Sequence, residues 1–111
     1  MQFFLWPQVL CIVWHAHAVV KAVARAIASQ DIRRLRQLVS PELGADLARL
    51  HHNDPERFWN RGQRLVKNVE SGFTICHRQE QTGRVLLCFG NGKKERVKFT
   101  RVEGRWVLEE L

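Results

Sequence analysis

The spacing of apolar residues changes once along the chain, at Ser71-Gly72. Before this point apolar residues recur every three or four positions, which is typical of helices with one buried face. After it they alternate with polar residues, as in strands of a sheet with one buried face. The 111 residues have the length of one domain. We therefore predict an α+β fold in which N-terminal helices pack on one face of a four-stranded antiparallel meander sheet.

The predicted helices begin at recognisable caps. Asp31, Ser40-Pro41 and Asn53-Asp54-Pro55 each supply a capping side chain or a first-turn proline before an apolar run. Gly62 lies on the predicted inner face of the last helix, where a backbone or a large side chain could approach closely. The predicted helix–sheet interface consists of Phe58, Leu65, Phe73, Leu87, Phe89, Phe99, Trp106 and Leu108.

Turn lengths and core matching predict the register of the sheet. In the first hairpin, a three-residue Gln81-Thr82-Gly83 loop would place His77 opposite Leu87 and Cys76 opposite Cys88. In the second, a two-residue Asn-Gly turn would put a charged residue opposite the core, so core matching favours a three-residue loop. The predicted pairs are Leu87 with Val97 across an Asn91-Gly92-Lys93 loop, and Phe99 with Leu108 across a two-residue Glu103-Gly104 turn.

The predicted pairing of Cys76 with Cys88 allows a disulfide. Cross-strand neighbours have Cβ atoms close to the separation that a disulfide needs. We predict the bond if the protein is exported, because a reducing cytosol would keep both residues as thiols. Cys11 would be removed with an export signal, which would leave an even number of cysteines.

The N-terminal segment resembles an export signal. Residues 3–14 form an uncharged, mostly apolar run that suits the core of a signal peptide and is short for a bilayer span. Ala16-His17-Ala18 has small residues at the −3 and −1 positions of a cleavage site. We predict a signal peptide or N-terminal extension over residues 1–18 and a single α+β roll domain over residues 19–111. Pro7 and the lack of Lys or Arg before the run argue against export, so periplasmic and cytoplasmic locations both stay open.

The sheet face that points away from the helices is predicted to be basic. The chain has 18 Lys and Arg against 11 Asp and Glu, a net charge of +7. The residues predicted on this face are Arg78, Arg84, Lys94, Arg96, Lys98 and Arg105. The face is either a solvated surface or a binding surface for an acidic protein, nucleic acid or another polyanion. It lacks the exposed aromatic rings that stack on bases, and a homodimer also stays open.

The histidines are the other candidates for chemistry. His77 alternates with Phe73 and Ile75, so it is predicted to point toward the core or a cavity mouth, where a general acid–base role would need a nearby carboxylate. His51-His52 precedes a helix cap, which favours a loop role. No His or Cys has metal-ligand spacing and no phosphate loop or nucleophile elbow occurs, so we predict no metal site and no cofactor.

The order of these elements resembles the nuclear-transport-factor-2-like superfamily, the cystatin-like α+β roll, and within it small bacterial members of the lumazine-binding-like kind. The resemblance covers residues 19–111 and depends on Ser40-Pro41-Glu42-Leu43 and on the closing strand Gly104-Arg105-Trp106-Val107-Leu108. It implies a helix-lined cone over a curved sheet, often with a pocket. Members include ketosteroid-isomerase-like and polyketide-cyclase-like enzymes and many non-catalytic accessory domains.

Three functions are consistent with these patterns. The favoured one is a non-enzymatic binding or accessory domain, because the chain has no Tyr and no evident Asp–His pair at inward positions. The second is a small isomerase- or cyclase-like enzyme that uses the cone interior, with His77 as the candidate residue. The third is a protein that binds nucleic acid or another polyanion through the basic sheet face.

Overall fold

The computed structural model describes residues 5–111, with side chains from residue 15 onward. Over these residues, helices precede a four-stranded antiparallel sheet of order β1-β2-β3-β4, which confirms the predicted α+β class. The helices are α1 (Leu5–Ala28), α2 (Ile32–Gln37), α3 (Pro41–Asn53) and α4 (Pro55–Glu70). The strands are β1 (Phe73–Gln79), β2 (Arg84–Phe89), β3 (Lys94–Val102) and β4 (Arg105–Glu110).

The predicted caps begin α2, α3 and α4. In each case a side-chain oxygen accepts a hydrogen bond from the backbone N–H three residues later, which satisfies a donor that the helix itself leaves unpaired. The donor–acceptor distances are 3.0 Å from Arg34 to Asp31, 3.2 Å from Leu43 to Ser40 and 3.1 Å from Arg57 to Asp54. Pro41 and Pro55 lie in the first turns of α3 and α4, as predicted.

The segment between α2 and α3 covers the free edge of β4. The Leu108 N–H donates to the Leu38 carbonyl at 2.9 Å, and the Ser40 N–H donates to the Leu108 carbonyl at 2.7 Å. Val39 and Leu108 thereby form an isolated parallel bridge. An uncovered edge strand exposes unpaired backbone groups, so this bridge both protects β4 and attaches the helices to the sheet.

The core lies between the helices and the inner face of the sheet, as predicted. The predicted interface residues that are buried are Leu65, Leu87, Phe89, Phe99 and Leu108, and Phe58, Phe73 and Trp106 are half-buried against them. Trp59, which is not among the predicted interface residues, is also buried. Its ring meets that of Phe58 edge-on at 4.8 Å between centroids, a favoured geometry for aromatic pairs.

The β3–β4 register is the predicted one from the turn to Phe99, where it shifts by one residue so that Lys98 lies opposite Glu110. The β2–β3 register is not the predicted one. Phe99 lies opposite Leu108 across the two-residue turn. Val97, however, lies opposite Val85, two positions from the predicted Leu87. The loop has the predicted length of three residues but begins at Gly90, so that Gly92 takes the left-handed conformation in its last position, with φ of 85°. A shift of two positions keeps the same side chains on each face.

The predicted β1–β2 register is wrong, because the strand contains a bulge at Cys76 and the loop has four residues. Near the loop, His77 lies opposite Leu86 instead of Leu87. A slip of one residue moves a side chain to the other face of the sheet, so His77 is on the outer face. Beyond the bulge the register differs from the predicted one by two residues. Ile75 then lies opposite Leu87, on the predicted inner face.

Helix α1 is continuous through Ala16-His17-Ala18, the predicted cleavage site. Ala16 is buried, and the His17 ring stacks on Phe73 of β1 at 4.4 Å between centroids. Burial lowers the pKa of His17, and the positive charge of Lys21 lowers it further. Residues 1–4 of the predicted signal segment lie outside the described residues. Removal of residues 1–18 stays a prediction, and it would cut α1 and take Ala16 and His17 away from the domain.

At Gly62, α4 packs closely against α1. A Cβ atom added at Gly62 would lie 2.6 Å from Cγ2 of Ile27, far inside normal van der Waals contact. The predicted close approach at this glycine is therefore present. Gly44 of α3 differs, since an added Cβ would meet Cγ2 of Val39 at an ordinary 3.5 Å.

We predict opposite effects on stability when these two helical glycines are replaced by alanine. Gly62→Ala should lower the free energy of unfolding by roughly 1–3 kcal/mol, because Ile27 cannot move away without disturbing the core. Gly44→Ala should raise it by up to about 1 kcal/mol, because alanine restricts the unfolded chain and fits the helix.

Urea unfolding of both variants measures the two effects. Ile27→Ala combined with Gly62→Ala should lower the free energy of unfolding by less than the sum of the two single changes, because Ile27→Ala removes the clashing methyl group. Equal stability of Gly62→Ala and Gly44→Ala would contradict the close approach of α1 and α4.

Candidate functional site

A cavity of about 590 Å³ lies between the four helices and the inner face of the sheet. Volumes of this size are typical of small-molecule sites. Its apolar lining comes from every helix and from β4: Val23, Ile27, Leu35, Val39, Leu47, Phe58, Leu65 and Leu108. Most of these are core residues, so the cavity is an extension of the core that side chains do not fill.

The packing of α4 explains why the space remains open. This helix packs mainly against α1 and α3, while α1 and α3 make the contacts with β4. Gly62 brings the middle of α4 onto α1, and the Asn91 side chain joins the C-terminal end of α4 to the β2–β3 loop by donating to Asn68 at 2.8 Å. The inner face of the sheet contributes Glu95 and Leu108 to the cavity wall.

The mouth of the cavity combines exposed apolar and charged side chains. Among the described residues, the exposed large apolar side chains are Leu50 and Leu111, at 47% and 49% exposure, and both line this cavity. Leu50 and Leu111 therefore extend the apolar lining of the cavity to its mouth. The polar lining residues are Asn53, Asp54, Arg57, Arg61, Arg64, Asn68 and Glu95.

The arginines of this mouth are not among the residues predicted from the sequence. Arg57, Arg61 and Arg64 are spaced by four and three residues, so they lie on one face of α4. That spacing is visible in the sequence and could have marked a charged helix face. It could not show that the face borders a cavity, which depends on how α4 packs.

His77 does not lie at the cavity, which corrects its predicted placement. The bulge at Cys76 puts it on the outer face, exposed, in a cleft of about 320 Å³ that also includes Arg84, Arg96 and the carboxylate of Glu110. A general acid–base group must reach a substrate proton within hydrogen-bond distance. From the outer face His77 cannot reach a ligand in the cavity.

The outer face holds five of the six predicted basic residues. By strand alternation and register these are Arg84, Lys94, Arg96, Lys98 and Arg105. Arg78 does not belong to this face, because the bulge turns it to the side of Val85, where it pairs with Glu80 at 3.3 Å. Lys98 forms an ion pair with Glu109 at 3.1 Å.

His51 is in the last turn of α3, so its predicted loop role is wrong. Its ring meets Phe58 and Trp59 edge-on, with centroids 5.5 Å and 5.3 Å away, and so helps to join α3 to α4. Across the part of the chain that the structure describes, no three His, Cys, Asp or Glu side chains come together as a metal site.

Cys76 and Cys88 form a disulfide in the structure, with Cα atoms 6.0 Å apart. They are not directly opposite, since Cys88 pairs with Thr74. The bulge displaces Cys76 along β1, and the bond then crosses diagonally between the strands. The disulfide therefore spans the irregularity that moves His77 to the outer face.

Comparison with known protein families, curated proteins and solved structures found no match to this chain. Within residues 5–111, no helix has the combination of length and apolar character that a membrane span requires.

We predict that in protein folded under oxidising conditions Cys76 and Cys88 are joined as a disulfide, so neither reacts as a free thiol. Thiol titration in denaturant without reductant should find one reactive thiol in a chain that keeps Cys11 and none in a chain that begins at Val19. Reduction should expose two more in either case and lower the free energy of unfolding by about 2–3 kcal/mol, as expected for a short closed loop. Two additional reactive thiols before reduction would contradict the disulfide.

Proposed function

We propose that this domain is a non-enzymatic binding module whose cavity takes a small apolar ligand. The observation that carries the proposal is the open apolar cavity between the helices and the sheet, with exposed Leu50 and Leu111 at its mouth. Burial of an apolar ligand there would remove both ligand and protein surface from water, which is favourable in proportion to the area. The resemblance to the nuclear-transport-factor-2-like roll supports the proposal as an analogy of fold.

The enzyme alternative has less support. Its candidate, His77, is on the outer face of the sheet. The acidic residues that line the cavity are Asp54 and Glu95. Asp54 already accepts a hydrogen bond as the cap of α4, at 3.1 Å from the Arg57 nitrogen, and Glu95 is half-buried on the opposite wall. Neither has a described partner of the kind that general acid–base catalysis uses.

A neutral fluorescent probe tests the binding function. We predict saturable binding of N-phenyl-1-naphthylamine, with enhanced emission in the apolar cavity. Leu47→Trp should weaken binding roughly tenfold, because the indole would fill space next to the α3 wall. Leu86→Trp is the matched control, since Leu86 is half-buried on the outer face and does not line the cavity.

The comparison of these two variants decides the proposal. Equal loss of dye binding in both would indicate a general effect on the fold, and unchanged binding in both would place the dye elsewhere. Either result contradicts the cavity as the site.

A second candidate function is binding of a polyanion on the outer face. Arg84 and Lys98 lie directly opposite each other on β2 and β3, and Arg96 is next to them. Like charges in directly opposed positions are destabilising. Glu109 forms an ion pair with Lys98, and Glu110 lies opposite Lys98 in the cleft that Arg84 and Arg96 also line, so carboxylates offset only part of this charge. A bound polyanion would relieve the remaining repulsion, which favours an acidic protein, nucleic acid or similar partner for this face.

We predict that charge reversal of Arg84 and Arg96 weakens binding to a fluorescently labelled DNA duplex. The two substitutions to Glu leave the Lys98–Glu109 pair intact. Each lost phosphate contact should lower the slope of log affinity against log salt by roughly one. The control is reversal of Arg33 and Arg36, which are exposed on α2. The same loss in both variants would reflect net charge alone and would contradict a site on the sheet.

A further inference from the structure

Three arginines of α4 border the mouth of the cavity. Arg57, Arg61 and Arg64 line both the cavity and an adjoining cleft of about 360 Å³. Their spacing places them on successive turns of one helix face, over a length of roughly 10 Å. All three are exposed, so their guanidinium groups are accessible from the mouth.

These guanidinium groups have no protein anion bound to them. The ion pairs within the described residues are Arg49–Asp46, Arg78–Glu80 and Lys98–Glu109, all at other places. The side-chain hydrogen bonds of that same part of the chain also do not involve the guanidinium groups of Arg57, Arg61 or Arg64. Like charges three or four residues apart on a helix repel each other. The helix therefore carries an unfavourable cluster of charge next to an apolar cavity.

The neighbouring carboxylates do not remove this positive charge. Asp54 is directed to the backbone of Arg57 as a helix cap. Glu56 lines the adjoining cleft and Glu95 lies across the cavity on β3. Neither is within ion-pair distance of the three arginines. The mouth consequently has free cationic donors on its α4 side and apolar side chains within.

We propose that the ligand of the cavity is an amphipathic molecule with an oxyanion head group, which the three arginines bind while its apolar body fills the cavity. The proposal rests on the binding function proposed above and specifies the ligand class. Guanidinium groups donate paired hydrogen bonds to carboxylate and phosphate oxygens. The apolar lining provides no partner for a charged group, so the head group would stay at the mouth.

Displacement of N-phenyl-1-naphthylamine by three ligands of equal chain length tests the proposal. The ligands are undecanoate, decyl phosphate and decan-1-ol, which share the decyl chain and differ in the head group. We expect at least one of the two anions to bind roughly tenfold more tightly than the alcohol. The tighter anion identifies whether the head group is a carboxylate or a phosphate.

Two triple variants separate the head-group site from net charge. Replacement of Arg57, Arg61 and Arg64 by Gln should remove the preference for anions, so that the variant binds neither anion more tightly than decan-1-ol. The control replaces Arg33, Arg34 and Arg36 by Gln, which removes the same charge from α2, and it should keep the preference for anions. These α2 arginines are exposed and do not line the cavity.

The outcomes separate this inference from the proposed function. If the neutral dye and all three ligands bind equally in wild type and variants, the cavity binds apolar ligands and the head-group proposal is overturned. If the dye does not bind at all, the proposed function fails and this inference fails with it. Size-exclusion chromatography run in parallel identifies one cause of that failure, a second copy of the chain that covers the mouth.

Discussion

The contact between Ile27 and Gly62 fixes the position of α4, and the rest of the architecture depends on where this helix lies. Because Gly62 has no side chain, α4 approaches α1 more closely than any larger residue would allow. The helix is then held mainly by α1 and α3, and its C-terminal end is joined to the β2–β3 loop by the hydrogen bond from Asn91 to Asn68. The inner face of the sheet is also covered by α1 and by the bridge between Val39 and Leu108. A space remains where α4 and the sheet diverge, and its walls are core side chains.

The sequence predicts those parts of the fold that local chemistry determines. Asp31, Ser40 and Asp54 begin helices because each side chain can accept a hydrogen bond that no backbone group provides. Glu103 and Gly104 both have positive φ, as a two-residue type I′ turn requires, and this turn sets the register of β3 and β4 from Val102 to Phe99. The predicted β2–β3 register is wrong by two positions, because the alternation of apolar residues is the same after such a shift.

The bulge at Cys76 shows where sequence reasoning fails. Nothing in the alternation of Phe73, Ile75 and His77 indicates that an extra residue lies within β1. The bulge changes which side His77 and Arg78 occupy, and it therefore changes both the catalytic hypothesis and the membership of the basic face. The cavity was likewise expected only from a family resemblance. Its arginines have a clear helical spacing, but their position beside an apolar space depends on contacts between distant elements.

The basic residues that give the chain its net charge of +7 do not all lie on one surface. The outer face carries its cations on β2, β3 and β4, while the cations beside the cavity come from α4. Within the described residues the sheet contributes Glu95 and Leu108 to the cavity wall and no Lys or Arg. A ligand in the cavity is therefore separated by the sheet from Arg84 and Arg96. Because the two clusters lie on opposite sides of the sheet and share no residues, changes in one should act independently of changes in the other. Measurements on the cavity and on the outer face can thus be interpreted separately, even though both involve attraction of anions.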